Sequence, residues 1–171
     1  MGQKEKVMND AVAHAATREG KYLTFSLAGE EYGIGILNIR EIIGMLPITS
    51  VPETPAFVKG VINLRGKVIP VVDLRRRFVM PTMDYTERTC IIVVEIAVAA
   101  GTVSMGVVVD SVSEVLNIKG ADIEDTPSFG TQINTECILG MAKVGKNLKI
   151  LLDIEKALTT TEMESLSRAA A

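Results

Sequence analysis

The chain has 171 residues and a net charge of −3, with ordinary apolar and charged shares. Such a length forms one medium domain or two small ones and buries roughly 70% of its unfolded surface, which excludes a disordered chain. The charge gives no general pull toward nucleic acid or an anionic membrane. Three tyrosines, four phenylalanines and no tryptophan leave little for base stacking, and no apolar run reaches membrane-spanning length.

Residues 1–20 are polar and alanine-rich, without sustained periodicity, and are expected as a frayed helix or a tail. His14, the one histidine, lies there and is assigned no role. No basic segment followed by an apolar core opens the chain. Cys90 and Cys137 each stand beside an apolar run, with no histidine or second thiol at ligand spacing. They read as small buried hydrophobes in a reducing compartment, so the expectation is a cytoplasmic protein without disulfide, metal or cofactor.

Order begins at Lys21. Leu23, Phe25 and Leu27 alternate with Tyr22, Thr24 and Ser26, which is strand periodicity. Ala28 to Glu31 form a turn, and Tyr32 to Ile36 return as a second strand. Residues 37–43 are either a helical turn or a strand after a bend. Pro47, Pro52 and Pro55 then break regular structure. Residues 57–74 read as a hairpin: two β-branched runs separated by Arg65-Gly66, with Gly66 supplying a positive φ and Arg65 held at the tip as a long cation beside apolar strands. Pro70 cannot donate to a ladder, which predicts an edge strand or a bulge there. The basic run Arg75-Arg76-Arg77 reads as a solvated turn in a linker that extends to Met83.

The second half repeats the first. Tyr32 to Ile42 superimpose on Met105 to Val115 at an offset of 73, matching a glycine, the apolar alternation and a glutamate. Gly60 matches Gly140 and Asp73 matches Asp153 at an offset of 80, so the extra residues fall in the polar run around Ile118 to Thr135. Strands at Tyr22 to Leu27 and Thr89 to Ile96 precede the two units. An internal duplication follows: about five short strands per copy, near the low end for a barrel, in units of about 60 residues that are marginal alone. The expected division is a tail at 1–20, a first barrel at 21–83, a second at 84–158 and an amphipathic helix at 159–171, with Met163 and Leu166 on one face and packed against a barrel. A groove between the two units suits a third molecule.

Catalytic constellations are missing from the sequence. There is no G-x-S-x-G, P-loop, G-x-G-x-x-G or H-E-x-x-H, and Gly33-Ile34-Gly35 fits a strand better than a phosphate loop. Asp73 and Asp153 end strands at matching places. Paired carboxylates can perform acid–base work, but an Asp before a short helix is more economically an N-cap. Glu41 and Glu114 also match across the copies, as partner contacts or as solvent-facing residues.

The strings Glu31-Tyr32-Gly33-Ile34, Ile39-Arg40-Glu41-Ile42, Phe57 to Gly66 (F-V-K-G-V-I-N-L-R-G) and Ile69 to Leu74 resemble CheW, the coupling protein family of bacterial chemotaxis. Gly106 to Val115 and Ile150 to Lys156 resemble it in the second half. The resemblance implies an all-β fold of two SH3-like five-stranded barrels with short helices, and no catalysis. It implies an adaptor joining the cytoplasmic tip of methyl-accepting chemoreceptors to the regulatory domain of the histidine kinase CheA, with self-association in arrays and a receptor groove between the barrels. It places functional positions on Arg65, Ile39, Glu41 and Gly60, with Val61 and Leu64 in the same motif. Ile39 stands where many members carry valine, and Gly35 where several carry aspartate. A helical receptor tip bearing apolar anchors and a carboxylate would suit an apolar groove with one fixed cation.

Overall fold

The computed structural model describes residues 18–127 and 136–158. The expected C-terminal helix and nearly all of the expected tail lie outside them. The strands are β1 (Gly20–Leu27), β2 (Glu30–Gly35), β3 (Ile39–Gly44), β4 (Val58–Leu64), β5 (Lys67–Asp73), β6 (Cys90–Val98), β7 (Gly101–Val109), β8 (Ser111–Ile118), β9 (Ile123–Glu124), β10 (Ile138–Val144) and β11 (Asn147–Leu152). Two short helices, α1 (Leu74–Arg77) and α2 (Ile154–Leu158), follow β5 and β11. The segment after β2 is both of the things its sequence allowed: a 3-10 turn at Ile36–Asn38, then β3.

The class is the expected one, all-β with short helices and two SH3-like barrels. One sheet runs β8-β1-β2-β11-β10-β9 and the other β3-β6-β7-β5-β4. The barrels do not follow the expected boundary at residue 83. The first sheet takes β1 and β2 from the first copy and the rest from the second; the other takes β6 and β7 from the second copy and the rest from the first. The physical cause is the turn at Ile36–Asn38, which carries the chain out of one sheet before β3 starts, so β2 pairs in parallel with β11 instead. The register reproduces the duplication residue by residue. Gly33 lies opposite Leu151, and their counterparts Gly106 and Val71 lie opposite each other. The sixth strand, β9, is also a duplication product: it pairs with β10 where the first copy has only a single bridge between Thr49 and Val61.

Exchange of hairpins means that neither copy completes a barrel alone, the outcome favoured by units too small to bury a core of their own. Three apolar clusters result among the described residues. The largest lies between the sheets and draws Leu23, Phe25, Leu27 and Ile34 from the first copy with Ile92, Val94, Ile96 and Val107 from the second. Phe25 and Tyr32 stack within it at 5.9 Å between centroids. The other two fill the barrels: Ile62, Ile69, Val71, Ile91, Val93 and Val108 in one, and Tyr22, Ile118, Ile123, Ala142 and Leu151 in the other.

Two local expectations are corrected. Pro70 is not on an edge, because β5 lies between β7 and β4. It is tolerated there because its partner Val61 gives its backbone groups to Thr49, and the ladder from β5 to β7 begins only at Val71. The Arg75 to Arg77 run is not a solvated turn. It forms α1, capped by Asp73, whose Oδ1 accepts from the Arg75 N–H at 3.0 Å, and Arg75 itself is buried.

Candidate partner-binding site

The hairpin of β4 and β5 closes through the two-residue turn Arg65-Gly66, with φ of 53° and 85°. Two positive φ values are what a tight hairpin of this twist requires. Asn63 Oδ1 accepts from the Gly66 N–H at 2.8 Å and pins the turn. Glycine adopts such backbone freely, whereas arginine holds it at a cost, and backbone strain of this kind concentrates at functional positions.

The guanidinium reaches Glu41 on β3 through two parallel bonds, Nη1 to Oε1 at 2.6 Å and Nη2 to Oε2 at 2.8 Å. β3 and β4 are opposite ends of their sheet, so the ion pair crosses the gap where the sheet curls back toward itself. The bond from Arg65 holds the Glu41 carboxyl below the usual carboxylate range. Beneath the pair is a crevice of about 200 Å³ with Leu64, Ile69 and Val93 as its apolar lining and Arg40 and Ser104 at its sides. The Arg65 side chain remains 70% exposed, against 27% for Glu41. A rigid charged rim over an apolar floor can receive an apolar side chain while orienting a charged neighbour.

Arg65, Glu41 and Leu64 therefore meet at one barrel mouth. Ile39 opens β3 and packs against the cluster between the sheets. Val61 is engaged through its backbone with Thr49. Gly60 is buried at φ 147°, and a Cβ there would lie 2.0 Å from the Thr49 carbonyl oxygen. It is a close-approach glycine that lets the 45–57 segment lie against β4 and does not line the crevice. Asp73 and Asp153 are not brought together: each accepts from the first turn of its own helix, and they line different clefts. Among the described residues no group of three or more His, Cys, Asp or Glu side chains is placed to hold a metal. Both cysteines are free, and burial pushes each thiol pKa up. No helix among the described residues is long and apolar enough to cross a membrane.

Two features were missed from the sequence. One is Glu41 as the partner of Arg65, which depends on sheet curvature. The other is the clasp between Arg75 and Asp110, at 2.7 Å and 2.5 Å, with the Ala28 N–H also donating to Asp110 at 2.9 Å. A larger cleft of about 510 Å³ lies at the turn Ile36–Asn38 and the start of α2.

A family model described as a CheW-like domain matches residues 21–162. The chain belongs to the CheW-like family. It is 40% identical to a chemotaxis protein CheW of Klebsiella aerogenes over 150 residues, covering 88% of each chain. It is 30% identical to the protein FrzA of Myxococcus xanthus, covering 92% of this chain and 97% of that one. Among solved structures it resembles the scaffolding protein TtCheW of Thermoanaerobacter tengcongensis, with a TM-score of 0.73, 37% identity, and coverage of 84% of this chain and 95% of that one. Its family is thus that of the chemotaxis coupling scaffolds.

Proposed function

We propose that the chain is a non-catalytic adaptor that joins the cytoplasmic tip of methyl-accepting chemoreceptors to the regulatory domain of the histidine kinase CheA. On this reading it works in the cytoplasm, is recruited to membrane-associated receptor arrays, and takes part in the self-association that extends them. The observation that carries the reading is the strained, exposed Arg65 tied to Glu41 over an apolar crevice, in a chain of this family. An adaptor needs a fixed, pre-organised surface more than it needs reactive groups, and the ion pair supplies the fixing.

Ile39, Glu41, Gly60, Val61, Leu64 and Arg65 are the proposed contact region. Arg65, Glu41 and Leu64 touch a partner directly, and Gly60 and Val61 act by holding the 45–57 segment in place. Individually weak contacts suffice, because repetition in an array multiplies them. Reconstitution with purified CheA and receptor cytoplasmic fragments tests the proposal. Adding the chain should bring kinase activity under receptor control, and Arg65→Glu should abolish that gain while keeping a native circular dichroism spectrum. Equal kinase activity with and without the chain would rule the adaptor role out.

A further inference from the structure

The chain that leaves α1 forms a strap held by one buried guanidinium. Arg75 gives one edge to Asp110, Nε to Oδ1 at 2.7 Å and Nη2 to Oδ2 at 2.5 Å. Its other edge takes the strap at two points. Nη1 donates to the Pro81 carbonyl at 2.9 Å, and Nη2 donates to Met83 Sδ at 3.1 Å. A thioether is a weak acceptor, and here it completes the shell of a buried cation. Met83 is nevertheless 61% exposed. It stands between a gap of about 60 Å³, shared with Arg75 and Asp110, and an open cleft of about 340 Å³ lined also by Lys59 and Arg76.

The other sulfurs of the described residues are better covered. Met105 is fully buried, Met80 and Met45 pack against apolar clusters, and Met141 is half-buried. Cys137 is buried and Cys90 half-buried, and burial keeps both as thiols, whereas the thiolate is the form that attacks a peroxide. A two-electron oxidant arriving from solvent therefore meets Met83 first among them. Sulfur offers it two lone pairs. The one that accepts from Arg75 is closed, because a contact of 3.1 Å leaves no room for an oxygen between the two atoms. We infer that Met83 is a site of reversible, stereoselective oxidation by hydroperoxides, with Arg75 deciding which lone pair reacts. The free lone pair attacks one oxygen of hydrogen peroxide and the O–O bond breaks. The proton on the transferred oxygen passes to the leaving one, which departs as water. Sulfur loses two electrons and the peroxide gains them. One sulfoxide epimer results, and each epimer has its own reductase, which takes two thiols to a disulfide and returns the oxygen as water. The new oxygen lies on the side away from Arg75, so the strap gains a strong acceptor at the open cleft while Arg75 and Asp110 stay paired. This chemistry belongs to the free chain and does not depend on the adaptor role.

Limited treatment of the full-length chain with hydrogen peroxide, followed by peptide mapping, tests the site. Met83 should be oxidised several-fold more than Met45, Met80, Met105 and Met141 in the native chain, and no more than they are in urea. The stereochemistry is read on the digested peptides, each incubated with one of the two epimer-specific reductases. From the native chain, one reductase should remove most of the Met83 oxygen and the other should leave it. From the chain oxidised in urea, the two should remove equal shares. Arg75→Lys, checked for a native circular dichroism spectrum, should still oxidise at Met83 but give both epimers. Oxidation of Met83 no faster than of the covered methionines, or an equal mixture of epimers from the native chain, would overturn the proposal. So would a single epimer that persists in a folded Arg75→Lys chain. If that variant does not fold, the comparison of native with urea-unfolded chain decides alone.

Discussion

The two barrels descend from one repeat, yet their mouths are finished in opposite ways. The mouth that carries Arg65 has Ile69 and Val93 as its floor and puts its ion pair outside, on the rim. In the other barrel Lys149 stands at the position of Ile69, Thr24 at that of Val93 and Glu31 at that of Ser104, and the lysine is buried against Glu31. The hairpin tips diverge as well: Gly145 replaces Arg65 and takes its positive φ without a side chain. A charge pair placed inside fills a barrel, whereas one placed outside leaves an apolar recess beneath it. On the reading proposed above, the first mouth is the one built for contact.

Exchanging the features of the two mouths tests this, beginning with the largest effect. Ile69→Lys should destabilise the fold by about 3 kcal/mol or more, because it removes a buried side chain and inserts a cation whose partner position is Ser104. Chemical denaturation of Ile69→Lys with Ser104→Glu should recover part of that loss. A double-mutant coupling near zero would mean that the two mouths are not equivalent in geometry. Gly60→Ala should cost about 3 kcal/mol, since the added Cβ meets the Thr49 carbonyl and the backbone sits at φ 147°.

Next comes the clasp that joins the barrels. Asp110→Asn weakens a charge-assisted bond pair and should cost about 2 kcal/mol at neutral pH. Hydrogen bonding from Arg75 lowers the Asp110 pKa in the folded state. Its contribution is therefore complete above the ordinary aspartate value of about 4 and disappears as pH falls through the lower folded value. Urea melts should show the gap between the chain and Asp110→Asn closing below about pH 4. A gap that persists there would place the effect elsewhere. Lys149→Ile combined with Glu31→Ser, which copies the first barrel into the second, should be neutral or stabilising by about 1 kcal/mol. The smallest change in stability belongs to Arg65→Gly, which copies the second hairpin tip into the first. Its unfolding midpoint should stay where it was or rise slightly, while partner binding falls.

The architecture was legible because alternation and duplication are local signals. Leu23, Phe25 and Leu27 announce β1, and the offsets of 73 and 80 reappear as the register of two parallel ladders. The exchange of hairpins between barrels was not legible, since it depends on where the three residues Ile36–Asn38 send the chain. Pro70 misled for the same reason: its meaning rests on Thr49, a distant residue that occupies Val61. Arg65 was readable as a held cation from the turn it occupies. Its link to Glu41 was not, because the two are brought together only when the ends of the sheet approach each other. The basic run at Arg75 looked like a surface feature until Asp110, at the crossover between the sheets, gave its first member a buried partner.

The most direct measurement is the affinity of purified receptor fragment and CheA for Arg65→Glu, with Lys146→Glu at the second hairpin tip as control. If the first mouth is the contact surface, Arg65→Glu weakens at least one of the two complexes by tenfold or more, about 1.4 kcal/mol, and Lys146→Glu changes neither. Undiminished binding of both partners by a natively folded Arg65→Glu chain, or equal losses at the two tips, would contradict the account.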